Sequence, residues 1–460
     1  MTTPAQELFY EGNRLMQSGK TLVAEQCFRN ALNLEPNFSE AWANLGYLRS
    51  KAGDLNFAEK CLLKAISFSP DLEQPYLILG VMLMEQKRFS ESELLYRNYL
   101  NLHPNSASAW SNLGVLLACL KREAEAEQCY HAALANDETL ANASFNLSYI
   151  LLRQRRWEEG WDRLEDRWQY PMLENHFQFP RWRGEPLFGK SLMIGFEAGH
   201  GDMIFYSRYI SELKARGVSR LAMICHPGLK RLFGSLAGVD QLFSFSDEVP
   251  PTGWDYWSPP MSLPRNCLTR SNNIPTPIPY LHAEPALTEK WHARLPKDGL
   301  RVGLVWQGNP QFENDADRSI ASVQTLIPLS AVSGVNLISL QKGLGEAEAV
   351  PFKMMALGAL LTDFAETAAV IQNLDLVISV DTAVAHLAGA MGKPCWVLLP
   401  DYRCDWRWHA DSDTSPWYPN TMTLFRQPAS GEWASVILKV RDQLTEFRQL
   451  NMRHGLSAAP

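Results

Sequence analysis

Over its first third this chain of 460 residues keeps a fixed interval. Gly12, Gly46, Gly80 and Gly114 stand 34 residues apart, and Ser148 takes the next place. Ala24, Ala58, Ser92, Ala126 and Gly160 keep the interval, as do Phe28, Leu62, Tyr96, Tyr130 and Leu164. Ala31, Ala65, Tyr99 and Ala133 follow, then Pro36, Pro70 and Pro104, while Trp42, Tyr76 and Trp110 hold another matched position. A unit this short cannot bury its own apolar face, so units must stack, each covering the next. Small residues let paired helices approach closely, and large ones fill the gaps between units. Proline breaks the chain between one hairpin and the next.

The order aromatic, Leu-Gly, Ala, aromatic, Ala, Pro resembles the tetratricopeptide repeat. The resemblance implies an α-solenoid over residues 1–170, of about four full repeats and a degenerate fifth. Its concave groove would capture an acceptor protein or peptide. Homo-oligomerisation through the repeats, or a rigid spacer, is the alternative use. In the fifth unit Arg167 stands where Ala is expected, and Glu138 has replaced Pro. The run from Arg156-Trp157 to Arg167-Trp168 is rich in Trp and Arg, which suits an interface with the next domain.

Composition narrows the function classes. The net charge of -7 argues against broad nucleic-acid binding, which needs a basic footprint. No apolar run is long enough to span a bilayer, and the N-terminus shows no charged-then-apolar signal, so a cytoplasmic protein is expected. The eight cysteines are scattered without a C-x-x-C pair, which suggests neither a zinc site nor a disulfide framework.

After Pro180 the period changes. Strands are expected over 191–196, 221–225, 241–245, 301–306, 335–340, 376–380 and 395–399. Helices are expected over 203–215, 227–236, 366–374 and 431–450. The proline-rich stretch 249–285 reads as irregular, with Trp254 to Trp257 closing over a cleft. Residues 180–295 and 296–450 are thus expected to form two Rossmann-like doubly wound domains, with ligands bound between them and 451–460 a frayed tail.

One stretch, Val377 to Pro394, carries the strongest chemical signal. A buried strand ends at Val380, and Asp381 and Thr382 are N-cap residue types. Small residues follow: Ala383, Ala385, Ala388, Gly389 and Ala390, with His386 one turn in. A helix N-terminus with little side-chain bulk, at the carboxyl end of a parallel strand, suits a phosphate or diphosphate. An ordinary βαβ crossover is the plain alternative.

Several motifs together resemble the GT-B glycosyltransferases of the heptosyltransferase type. Asp381-Thr382-Ala383-Val384-Ala385-His386-Leu387-Ala388-Gly389 is similar to their nucleotide-sugar motif, with Ala383 where they have Gly. Gly199-His200-Gly201-Asp202-Met203-Ile204 resembles their first-domain turn. Val305 to Asn309, Asp317 to Ile320, the linker around Trp157 to Trp168, and Asp405-Trp406-Arg407-Trp408 are similar to bacterial tetratricopeptide-repeat glycosyltransferases. A looser similarity is to O-GlcNAc transferase.

The resemblance implies an inverting transferase that uses a nucleotide sugar without a metal or other cofactor. Asp202 would be the base, with His200 its rival; Asp202 fits a helix-capping role equally well. Asp381, Thr382, Ala383, His386 and Gly389 would hold the donor diphosphate. Arg318 and Lys342 would supply cations, and Gln307 and Asn309 hydroxyl or phosphate partners. Asp315-Ala316-Asp317 and Asp411-Ser412-Asp413 spell D-x-D but read as solvated loop acids. The function expected is transfer of a sugar to a protein acceptor held by the repeats, flagellin being one candidate. Alternatives are a lipid-linked or polysaccharide acceptor, or a scaffold with a degenerate transferase.

Overall fold

A computed structural model describes residues 2–169, 177–250, 252–312, 314–343, 345–352 and 354–457, with side chains described except at 168–169 and 452–457. Its contacts divide the chain into two compact units, Met1–Ile150 and Leu151–Pro460.

The first unit is a stack of helical hairpins. Its helices are α1 Pro4–Gln17, α2 Thr21–Leu34, α3 Ser39–Lys51, α4 Leu55–Phe68, α5 Glu73–Glu85, α6 Phe89–Leu102, α7 Ala107–Cys119, α8 Glu123–Asn136 and α9 Ala141–Arg153. The repeated residues meet one another. A Cβ at Gly80 would lie 2.2 Å from Tyr96 Cζ, and one at Gly114 would lie 2.7 Å from Tyr130 Cε1. Each repeated glycine therefore makes room for the large residue of its own hairpin partner. Trp42 and Trp110 donate their indole N–H to the carbonyls of Pro36 and Pro104, each at 2.8 Å, which pins the aromatic of one unit to the proline turn before it.

A further periodic feature was not read from the sequence. The turn between paired helices is left-handed at Gly19, Gly53, Lys87, Lys121 and Arg155, with φ of 76°, 82°, 60°, 60° and 63°. Glycine marks only the first two, so composition hides the pattern.

The second unit opens with α10 Trp157–Leu164 and holds two parallel sheets. In the first, β1 Ser191–Ile194, β2 Arg220–Cys225, β3 Gln241–Ser244 and β4 Tyr256–Ser258 run in the order β3-β2-β1-β4. In the second, β5 Leu300–Val305, β6 Val335–Ser339, β7 Met355–Ala356, β8 Leu376–Val380, β9 Cys395–Leu399 and β10 Met422–Arg426 run in the order β10-β9-β8-β5-β6-β7. Every pairing between these strands is parallel. The helices that matter for the site are α11 His200–Tyr206, α12 Tyr209–Ala215, α13 Pro227–Phe233, α14 Pro285–His292, α15 Phe364–Gln372, α16 Ala383–Ala390 and α17 Trp433–Ser457. The order reverses between β1 and β4 in one sheet and between β5 and β8 in the other. At such points the flanking loops diverge and leave a crevice at the carboxyl edge.

Several expectations need correction. Trp254 to Trp257 is no lid: Tyr256–Ser258 is an edge strand on β1, and Trp257 within it and Trp254 just before it are buried in the core beside Met193 and Ala222. The single helix expected over 203–215 is two, because the Arg208 side chain turns back to donate to the Phe205 carbonyl and Ser207 caps Ile204. The last helix continues through Ser457, so the expected tail from 451 is helical that far; residues 458–460 lie outside the described residues. Arg167, which breaks the repeat pattern, is buried in an ion network with Glu197 at the end of β1 (2.7 Å) and with Glu165 (3.0 Å). The degenerate segment thus serves the first sheet.

Candidate functional site

The loops that follow β1, β5, β8 and β9 converge. Helices α11 and α16 pack together at their N-termini: a Cβ on Gly201 would lie 3.1 Å from His386 Cδ2 and 3.4 Å from Ala383 Cα. The turn Gly199-His200-Gly201-Asp202 and the stretch Asp381 to His386 are therefore one site, assembled from both sheets. Gly201 is the residue that permits the approach. Ala198, just before it, holds a left-handed φ of 64°, a conformation an alanine adopts at a cost of roughly 1–3 kcal/mol.

Asp202 sits in the first turn of α11. One carboxylate oxygen accepts the Gly199 N–H at 3.1 Å; the other accepts Arg407 Nη2 at 2.7 Å. The first bond is the capping role weighed from the sequence. The second was not foreseen. Arg407 is 5% exposed, and its Nη1 lies 3.2 and 3.1 Å from the two oxygens of Asp405. Its guanidinium rests 4.5 Å over the Phe205 ring and 4.8 Å over Trp406.

His200 stacks on His226, with ring centroids 3.9 Å apart, and on Phe364 at 5.2 Å. Burial, with His226 beside it, pulls its imidazole down to about 4, so it is neutral at pH 7. His386 is buried too. Its Nδ1 is 2.9 Å from the Tyr418 hydroxyl, and its ring stacks on Trp408 at 5.4 Å. Burial holds it well below the usual histidine range, with Arg407, Arg208 and Arg318 acting the same way. It therefore offers the site a neutral polar edge and no charge.

Asp381 directly follows β8, with its side chain 15% exposed and Oδ1 3.9 Å from His386 Nε2. Burial pushes its carboxyl up to about 6, with neighbouring Asp405 adding to the rise and Arg318 and Arg407 opposing it. Thr382 is the N-cap residue of α16, but its hydroxyl bonds Ser379 Oγ at 2.9 Å and caps no helix N–H. Ala383 is the first helical residue.

Arg318 approaches from the loop after β5. It pairs with Asp315 at 3.2 Å and lies 4.6 Å over the Phe312 ring. Asp315 is 8% exposed, which corrects its reading as a solvated acid. A Cβ on Gly308 would lie 2.3 Å from Asp315 Oδ1 and 2.7 Å from Arg318 Nη2, so only glycine leaves room for this pair. Asp411 is the surface partner of Arg155 at 3.0 Å.

Other predicted donor residues are engaged elsewhere. Gln307 gives its side-chain amide to the carbonyls of Ile320 and Ala321 and closes its own loop. Asn309 is exposed and accepts the Gln311 N–H. Lys342 is exposed, with Nζ on the Gly358 carbonyl. Gly389 lies at the far end of α16, where a Cβ would meet Tyr418 Cδ1 at 2.5 Å; it is a packing residue. Arg407 and Asp405 carried a signal that sequence reading left without a role: two charges set between tryptophans in the loop after β9. A cleft of about 570 Å³, lined by His282, Thr288, His292 and Asn373 among others, lies at the other end of α15 from this site.

Behind the site the tryptophans form one cluster. Trp157 and Trp161 of α10 lie 5.0 Å from Trp417 and 5.3 Å from Trp406, and Phe205 of α11 lies 4.8 Å from Trp417. The loop that carries Arg407 is fixed by this cluster. Among the described residues no helix is long and apolar enough to cross a membrane, and no three His, Cys, Asp or Glu side chains gather as metal ligands would.

Parts of the chain match known protein families. Residues 350–399, from β7 through α16 to β9, match the model of glycosyltransferase family 9 (heptosyltransferase). Residues 27–59 and 77–141 match tetratricopeptide repeat models. Protein FlbA of Caulobacter vibrioides is 27% identical over 330 residues, covering 65% of this chain and 54% of its own length. The chain thus spans about half the length of that curated relative. Among solved structures, PilF of Pseudomonas aeruginosa is similar over 36% of this chain and 75% of its own, at 20% identity and a TM-score of 0.34. A thermophilic repeat protein of Thermus thermophilus is similar over 37% and 94%, at 22% identity and a TM-score of 0.33. By the two repeat matches the helical unit is a tetratricopeptide-repeat array, and the unit that follows is a parallel-sheet α/β region containing the family 9 match.

Proposed function

We propose that the chain is a GT-B glycosyltransferase that takes a sugar from a nucleotide donor and passes it, with inversion and without a metal, to a protein acceptor held by the repeats. The observation that supports it most is the convergence, at two facing sheet edges, of the α16 N-terminus with Arg318, Arg407 and Asp202. A helix N-terminus and two guanidinium groups suit a diphosphate that gains charge as it leaves. A carboxylate across from them suits the proton of an acceptor hydroxyl. The neutral His386 fits a site that binds by hydrogen bonding. Flagellin as the acceptor rests on the sequence resemblance alone.

Thermal-shift measurements with ADP-, GDP- and UDP-sugars and CMP-linked nonulosonic acids test the reading. One nucleotide class should raise the melting temperature; at 100 times its dissociation constant the stabilisation is about 2.7 kcal/mol. Arg318→Ala should abolish the shift. No shift with any donor, with and without candidate acceptor protein, would remove the donor-binding model.

A further inference from the structure

The arrangement of Asp202 conflicts with its use as a base. Each of its carboxylate oxygens already accepts one donor, Oδ2 the Gly199 N–H at 3.1 Å and Oδ1 the Arg407 Nη2 at 2.7 Å, so the arginine stands where an acceptor hydroxyl would approach Oδ1. The second of these is an ion pair between the two halves of the site, with the arginine side chain 6% exposed and the aspartate side chain 29% exposed. Arg407 keeps an independent anchor on Asp405, bonded both through its backbone N–H (2.8 Å) and through Nη1. It can therefore release Asp202 without losing its position. Its guanidinium also rests on the rings of Phe205 and Trp406, and Nη2 reaches the Tyr206 hydroxyl at 3.3 Å.

The charge of Arg407 also reaches the donor side. It acts on Asp381 and His386, and Arg318 acts on the same two residues. Arg407 is tied to Asp202 of α11, the helix whose Gly201 packs on Ala383 at the α16 N-terminus, and Arg318 is tied to Asp315.

Building on the nucleotide-sugar reading above, we propose that Arg407 is a second cation for the donor diphosphate, and that diphosphate binding draws it off Asp202 and so uncovers the base. In the free protein the arginine masks the carboxylate. With the diphosphate seated at the α16 N-terminus, the guanidinium turns to the phosphate oxygens and stays anchored on Asp405. The acceptor hydroxyl oxygen then attacks the anomeric carbon. The bond from that carbon to the diphosphate oxygen breaks, its electron pair leaves with the nucleoside diphosphate, and the hydroxyl proton passes to Asp202. Arg407 and Arg318 balance the charge on the leaving group. The base is thereby freed only when a donor is present.

The proposal makes a prediction of sign. Asp202 competes with the diphosphate for Arg407, so removing its charge should tighten nucleotide binding. Calorimetric titration with ADP, GDP, CDP and UDP would be run on the wild type, Asp202→Asn, Arg407→Ala, Arg407→Lys and the double variant Asp202→Asn/Arg407→Ala. The nucleotide that binds the wild type should bind Asp202→Asn about tenfold more tightly, equivalent to about 1.4 kcal/mol. Arg407→Ala should bind at least about tenfold more weakly, and Asp202→Asn should have no effect in that background. Arg407→Lys, which keeps the charge and loses the fork, should fall between; if Arg407→Ala does not fold, this variant and Asp202→Asn carry the test. An ion pair that only holds the fold gives unchanged or weaker binding in Asp202→Asn, and that result overturns the proposal while leaving nucleotide binding intact. Failure of every nucleotide to bind the wild type overturns both this proposal and the function on which it rests.

Discussion

At the scale of single residues, the site is a balance of charges held partly out of water. Asp202, Asp315, Asp381 and Asp405 share two guanidinium groups, and Asp381, which has neither guanidinium as a direct ion-pair partner, bears the excess of negative charge. Asp381, pushed up to about 6, binds its proton more tightly in the folded protein than in the unfolded chain. Its contribution to stability is therefore fully present below the ordinary carboxylate range. It fades as pH rises from about 4 to about 6 and is absent above. Asparagine does not titrate. Asp381→Asn should gain stability relative to the wild type between pH 4 and pH 7.5, by on the order of 1–3 kcal/mol. His200 carries the opposite dependence, since a depressed histidine favours folding above its ordinary range, but it is present in both proteins and cancels in the difference. Urea unfolding at the two pH values measures the effect, and an equal difference at both would disprove it. This balance was not legible in the sequence. Asp381 and Arg318 were visible as a cap and a loop cation, whereas the charges that join them, Asp405 and Arg407, come from a distant loop; Arg407 lies some 200 positions from Asp202 in the chain yet 2.7 Å from it in space.

At the scale of elements, what could be read depended on length and period. Strands such as Leu376–Val380 and Cys395–Leu399, buried along their whole length, were read at their observed limits because five apolar residues between turn signals have few other fates. Tyr256–Ser258 and Met355–Ala356 escaped because three and two residues carry no period, and the first lies in a proline-rich stretch. Arg208 divided a helix that pattern alone would have continued. The tryptophan-rich linker shows the same limit. Its composition announced an interface, but only the structure assigns α10 to the loop after β9. Trp161 is 1% exposed, donates its indole N–H to the Thr269 carbonyl at 3.0 Å and packs on Trp406. Trp161→Ala should cost about 3–5 kcal/mol, while Trp161→Phe, which keeps much of the ring, should cost less. Because Trp406 adjoins Arg407, the alanine variant should also weaken nucleoside diphosphate binding at temperatures where it remains folded. Denaturant unfolding and titration calorimetry check the two parts, and a stability loss below about 1 kcal/mol would show that α10 is not integral to this unit.

At the scale of the whole chain, the repeat interval was the most readable feature, since its glycines touch its large residues and its tryptophans bond its proline turns. Gly80 faces Tyr96, Gly114 faces Tyr130, and Trp110 bonds the carbonyl of Pro104. An array of this kind is stabilised by contacts between neighbouring repeats, so Met1–Ile150 has a core of its own. The α/β unit has separate cores, such as the one joining Val302, Ile378, Trp396 and Val436 across the second sheet and α17. All the residues assigned to nucleotide binding lie within Leu151–Pro460. A ligand stabilises only the cooperative unit it binds, by an amount set by its concentration over its dissociation constant. Calorimetry of the full chain should accordingly show two transitions. The nucleoside diphosphate should raise the one belonging to 151–460, by about 2.7 kcal/mol at 100 times its dissociation constant, and leave the other in place. A fragment of residues 1–150 should melt with the unmoved transition and show no response to nucleotide. If the nucleotide moved both transitions together, the repeats and the α/β unit would be one cooperative system, and capture of a protein by the repeats would then be expected to alter donor affinity directly.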